Sequence, residues 1–300
     1  HAHVPTSVLV ARRGARAAAR QAVSGSAAAL SGATTPSTTT AASTPNVPCD
    51  GDGTSGYRVQ ALYVVETNQM NRFANLKPNF ELWAAGVDSV ISSSAAKNGG
   101  VRHVRFVTEG TTPSCTAKVT SVTVPVGSLA SLSKETTALS TLGYNHLDRK
   151  YLLWTDSNVL CGIGTIYPYD QPGQQNPNNG PAGTTASYSR VDPGCWGMSF
   201  HSTEAHELTH NLGGVQSGAP NATTHNHCTD ESDLMCYSDN PGGTTPAMVQ
   251  VCPQAQEVLQ DCNGDDYFST LPKPGSWLAA HWNVASSRWL IGGGDGASFS

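Results

Sequence analysis

A mixed α/β domain (α/β, or α+β) is the fold class this chain predicts, and three observations predict it. Strand-like and helix-like segments alternate between residues 57 and 155. The strand-like runs mix β-branched with aromatic residues, whereas the helical ones carry apolar positions three or four apart. No apolar run approaches the ~20 residues that cross a bilayer, so the apolar content serves a core.

The elements follow in order. Tyr57 to Glu66 reads as a strand. Pro78 to Ala96 reads as a helix, with apolar positions at Phe80, Trp83, Val87, Val90 and Ile91 and a stop at Gly99-Gly100. Val101 to Thr108 and Thr116 to Val124 alternate as strands, Ser128 to Leu142 suggests a helix, and Lys150 to Thr155 is a short buried strand. Gly162 to Cys195 is crowded with Gly, Pro and Asn, and within it Ala186 to Val191 is a possible strand. Ser202 to Leu212 and Gly275 to Leu290 complete the helices. His281 on the last helix reads as a packing or capping residue, and His201 lies well around the helix from His206.

Residues 1–48 stand apart. They are rich in Ala, Ser and Thr, with four arginines (Arg12, Arg13, Arg16, Arg20) and no acidic residue. That is the composition of a disordered leader, propeptide or linker, with the domain itself running over 49–300. The chain opens on His1 without a long apolar run, so a secretory signal removed upstream is expected. Setting the four arginines aside leaves 13 basic against 22 acidic residues. Such an acidic domain is a poor partner for nucleic acid. All eight cysteines fall at or after Cys49, without C-x-x-C spacing, which points to disulfides in an oxidising compartment. Loop lengths suggest Cys228–Cys236 and Cys252–Cys262, leaving Cys49–Cys115 and Cys161–Cys195. A secreted monomer without a membrane span is expected.

The chemistry concentrates at His206-Glu207-Leu208-Thr209-His210. On a helix, positions i and i+4 lie one above the other. Two imidazoles so placed reach one zinc ion at ~2.0–2.1 Å, and the intervening glutamate reaches the water rather than the metal. Gly213-Gly214 ends the helix three residues on, and Asp233-Leu234-Met235-Cys236-Tyr237 follows downstream.

These segments together resemble the metzincin metalloproteases, whose pattern is H-E-x-x-H-x-x-G-x-x-H followed by a methionine turn. The match is strong from His206 to Tyr237 and loose over the rest of 49–300. The resemblance implies a mixed twisted sheet, an active-site helix, a methionine turn and a C-terminal helix. It implies that Met235 floors the metal, that Tyr237 stabilises the tetrahedral intermediate or ligates zinc, and that Ala186 to Val191 is an edge strand for peptide substrate. One position departs from the pattern: Gln216 stands where the family has His or Asp. An amide oxygen is a weak zinc ligand. On ligand strength His227 is favoured as the third ligand, with Gln216, His225 and Asp230 as alternatives.

The expectation is a secreted zinc endopeptidase in which Glu207 is the general base. A catalytically weak zinc scaffold and a secreted binding module are the rivals. A thermolysin-type zincin would need a glutamate on a second helix, for which Glu257 is the candidate. Asp261 to Asp266 places oxygen donors like the opening of a calcium loop but lacks its closing glutamate, so a polar turn is the plainer reading. Asn221-Ala222-Thr223 is a glycosylation sequon.

Overall fold

The computed structural model describes residues 8–12, 44–180, 185–198, 202–239 and 247–293. The first strands are β1 (Val8–Arg12), β2 (Asn46–Val47) and β3 (Arg58–Glu66), then helix α1 (Phe73–Lys97). β4 (His103–Val104), β5 (Thr108–Thr111), β6 (Ser114–Ala117) and β7 (Val119–Val124) lead to α2 (Leu132–Thr141). β8 (Arg149–Thr155), β9 (Gly162–Ile166) and β10 (Ser187–Val191) precede α3 (Ser202–Asn211). β11 (Asp230–Glu231), β12 (Val249–Gln250), α4 (Trp277–Ala280) and β13 (Leu290–Ile291) finish the chain.

One mixed six-stranded sheet organises the domain, in the order β1-β9-β10-β8-β3-β7. β10, β8, β3 and β7 are mutually parallel, while β9 runs antiparallel between β10 and β1. Alternate residues of β3 divide between two cores. Ala61, Tyr63 and Val65 pack with Leu152, Trp154, α1 and α3; Leu62 and Val64 pack with Tyr151, Leu153 and α2. Both faces are therefore covered, which is why β3 and β8 are nearly continuously apolar.

Several boundaries differ from the sequence expectation. α1 begins at Phe73 rather than Pro78, and Phe73 stacks on Tyr63 at 6.0 Å, so a tertiary contact supports the extra turn. The strand expected over Val101 to Thr108 divides, because β4 pairs with β13 while β5 pairs with β6. The strand expected over Thr116 to Val124 divides between β6 and β7 for the same reason: β6 also pairs with β2, and β7 with β3. The helix expected over Ser128 to Leu142 starts with a 3₁₀ turn, and Ser131 then caps α2 by accepting from the Lys134 N–H. The long C-terminal helix expected over Gly275 to Leu290 is only α4, a 3₁₀ turn and β13. Its backbone donors turn outward to the tertiary structure: Trp282 N–H bonds the Asp170 carbonyl and Val284 N–H the Tyr267 carbonyl. β10 is an interior strand rather than the edge, and β9 forms within the Gly-, Pro- and Asn-rich stretch whose composition predicts loop.

Within the stretch read as a leader, β1 and β2 are strands, the latter beside the Cys49–Cys115 disulfide. The other disulfides are Cys228–Cys236 and Cys252–Cys262, the pairs that loop length suggested, and Cys161–Cys195, which together with Cys49–Cys115 those two left over. Four such bonds fit an oxidising compartment. Among the described residues, no helix is long and apolar enough to cross a membrane.

Candidate metal centre

α3 lies against β8, β9 and β10, with Ala205, Leu208 and Leu212 in the core it shares with α1. Its C-terminal end is pinned from two sides. The Asn211 amide donates to the carbonyls of Thr165 and Tyr188 at 2.9 Å each, and the buried Lys150 ammonium donates to the Asn211 carbonyl. Lys150 also sits 4.2 Å over the Trp289 ring, and burial lowers it to about 7. Gly213 then reverses the chain at φ +97°, where a side chain would strike the Trp282 indole. The same indole donates to the Leu212 carbonyl at 2.8 Å. His201, just before α3, lies outside the described residues.

His206 and His210 present their rings to one point, and His227 meets them from the loop that follows. His206 Nε2 lies 3.1 Å from His210 Nε2 and 3.3 Å from His227 Nε2. All three residues are buried. Their Nδ1 atoms face acceptors: His206 the Leu234 carbonyl at 2.9 Å, His210 the Gly214 carbonyl at 2.8 Å, His227 the Asp239 carboxylate at 3.0 Å. A ring that donates through Nδ1–H carries a lone pair on Nε2. Three lone pairs thus converge at distances where they repel each other unless a cation lies between them. Nitrogens held ~2.0–2.1 Å from one tetrahedral ion stand about 3.3–3.4 Å apart, so the donor set fits zinc.

The outer shell is equally ordered. Asp239 accepts from Thr223 Oγ1 as well as from His227. Burial pushes its carboxyl up, yet the hydrogen bonds from His227 and Thr223 hold it below the ordinary carboxylate value. The Cys228–Cys236 disulfide ties the residue after His227 to the residue before Tyr237. The Tyr237 hydroxyl consequently stands 3.0 Å from His227 Nε2. Met235 is fully buried, its backbone N–H held by the Asp233 carboxylate at 2.7 Å.

The alternatives for the third position lie elsewhere. Gln216 points its amide nitrogen at the backbone carbonyls of Tyr167 and Gly213, at 3.0 and 2.9 Å, and closes the turn after α3. His225 is more than half exposed and 3.6 Å from Asp239. Asp230 faces Asp266 instead. Glu257 caps a 3₁₀ turn (Gln254–Gln256) and, among the described residues, sits on no α-helix of the kind a thermolysin-type site needs. His281 stacks on Trp277 at 4.3 Å and bonds its carbonyl, a packing role.

Sequence reasoning missed Gly162 and Gly164. Both lie on the α3-facing side of β9, while Ile163 joins the opposite core. A Cβ on Gly162 would meet Glu207 Oε1, and one on Gly164 would stand 2.8 Å from the Glu207 carbonyl oxygen and 2.9 Å from His210 Cβ. Alternating glycines in Gly162-Ile163-Gly164 are the available signal, since glycine inside a strand marks a close approach. Glu207 is fully buried against this pair. No protein-family model matches the chain, and neither curated proteins nor solved structures match it.

Proposed function

We propose that the chain is a secreted zinc endopeptidase of the metzincin type, cleaving protein or peptide substrates as a monomer. The observation that carries this reading is the convergence of His206, His210 and His227 through Nε2, with Glu207 on the same helix turn and Tyr237 beside them. Those three histidines would hold the ion, leaving a position for water or substrate. When bound, zinc supplies a Lewis acid that lowers the pKa of water from ~15.7 towards ~7.

Glu207 takes the proton from the attacking water and delivers it to the leaving amine. Its carboxylate is placed for this by the floor that Gly162 and Gly164 leave open. The Tyr237 hydroxyl, held by the disulfide-stapled loop, donates to the oxyanion as it forms. Asp239, the Leu234 carbonyl and the Gly214 carbonyl keep each imidazole in the tautomer that offers Nε2. A peptide reaches these groups by laying its backbone along β9, as β1 does with Val10 opposite Gly164.

The test is direct. Purified protein is expected to carry one zinc per chain by mass spectrometry, and to hydrolyse casein in a reaction stopped by a zinc chelator and restored by zinc. Absence of bound zinc after loading, or hydrolysis indifferent to the chelator, would overturn the proposal. Gly162→Ala supplies a second check. It adds a Cβ 2.4 Å from Glu207 Oε1 at an ordinary backbone angle. Displacing the base by about 1 Å is expected to lower kcat by ~10²-fold with zinc content unchanged.

A further inference from the structure

A second buried cluster, beside the Cys228–Cys236 disulfide, has no part in the mechanism above. Asp230 and Asp266 are 4 % and 1 % exposed, and carboxylate oxygens from the two lie within 4.8 Å of one another and of Cys228 Sγ. That sulfur is spent in the disulfide and is no ligand. Asp266 accepts from the Asn221 backbone N–H at 3.0 Å and from its amide at 3.2 and 3.4 Å. Asp230 is different: no N–H or hydroxyl group donates to its buried Oδ2, its carboxyl faces only that of Asp266, and its Oδ1 abuts the Cys236 sulfur, which bears no proton.

Two of the neighbouring acids, Asp261 and Asp233, do not share this condition. Asp261 is consumed by five backbone N–H groups, from Gly264, Asp265, Asp266, Tyr267 and Phe268. It is the anchor of a polar turn, not the first ligand of a calcium loop. Asp233 accepts from the N–H groups of Met235 and Cys262 and from the Tyr267 hydroxyl. Lys97 is the cation packed here, and it donates to the carbonyls of Gln260, Asp261 and Cys262 rather than to a carboxylate. Asp265 is half-buried, with Oδ1 lacking a partner. Burial first, then the facing carboxylates, push Asp230 up to about 7 and Asp266 to about 8. Among the described residues five acids therefore stand against one ammonium, and the excess falls at Asp230 and Asp266, with Asp265 half-buried beside them.

We propose that Asp230 and Asp266 form a calcium site bridging the His227 loop to the turn that begins at Asp261. Two carboxylates and no nitrogen or thiolate make a hard donor set, which favours calcium over zinc. Calcium takes six to eight oxygens, so water completes the shell. The site joins two segments that already meet through Asp233, which accepts from Cys262 and Tyr267, and through Asn221, which donates to Asp266. One is the disulfide-stapled loop carrying His227 and Tyr237. The other is the turn that also grips Asn221. The proposal is independent of zinc at the histidines.

The experiment titrates calcium chloride into chelator-stripped full-length protein, with calorimetry and thermal melts as readouts. Wild type and His210→Ala are expected to bind one calcium per chain and to gain about 5–10 °C in Tm at a hundredfold excess over Kd. Asp230→Asn and Asp266→Asn are expected to lose that gain. Without calcium, however, each should melt no lower than wild type, because the amide removes a repulsion. A turn that merely needs these side chains would melt lower in both conditions, and that result overturns the proposal. So does calcium binding by the two variants equal to wild type, or no binding by wild type at millimolar calcium. Loss of zinc in His210→Ala with calcium binding intact separates failure of this site from failure of the histidine site.

Discussion

Glu207→Gln is expected to retain one zinc per chain and to lose ~10²- to 10⁴-fold in kcat/KM on a protein substrate, the range a positioned general acid–base supplies. The substitution keeps the shape of the side chain and removes the basic oxygen. Glu207 is fully buried and pressed against Gly162 and Gly164, so the amide occupies the same space. It leaves the imidazoles and their carbonyl and carboxylate partners untouched. Metal content measured beside turnover makes the result specific. A variant that loses zinc with activity would place Glu207 in the metal-binding structure, and one with wild-type activity would end its assignment as the base.

His227→Ala is expected to abolish stoichiometric zinc binding, whereas Gln216→Ala keeps it. His227 brings Nε2 to within 3.3 Å of His206 Nε2, and Gln216 directs its amide to backbone carbonyls. Removing His227 leaves two nitrogen donors for an ion that prefers at least three protein ligands in a hydrolytic site. Asp239→Asn calibrates the scale, because loss of a partner behind a metal-binding imidazole costs ~10–100-fold in affinity. Zinc competition against a chelator of known affinity orders the three. If Gln216→Ala fell furthest, the ligand set would be wrong.

The two histidines of α3 were legible because helix geometry is local: five residues suffice to place them together. His227 is not local. Its arrival depends on Gly213 reversing the chain and on the Cys228–Cys236 bond, so sequence could rank it only by the chemistry of imidazole against amide. β3, β7, β8 and β10 were readable since their residues answer to burial. β9 was not, because its glycines answer to Glu207 and glycine otherwise signals a loop. The C-terminal segment misled for a related reason. Leu278, Trp282 and Trp289 are spaced as on one helix face, yet the backbone donors of residues 282 and 284 go to distant carbonyls that no periodicity records. Asp239 carried no signal, and Asp230, weighed as a zinc ligand, lies beside Asp266 rather than in the histidine group.

β1 along β9 has a kinetic consequence. Any extended peptide that uses the outer edge of β9 competes with a strand of the same polypeptide, paired there from Val8 opposite Ile166 to Arg12 opposite Gly162. A competitor joined by covalent bonds does not dilute when the protein does. Occupancy of the edge by β1 is therefore independent of protein concentration, while occupancy by an outside peptide follows that peptide's concentration. Progress curves at different dilutions should then start from the same fractional occupancy, and a single cut between residues 13 and 45 would convert a permanent competitor into one that washes away.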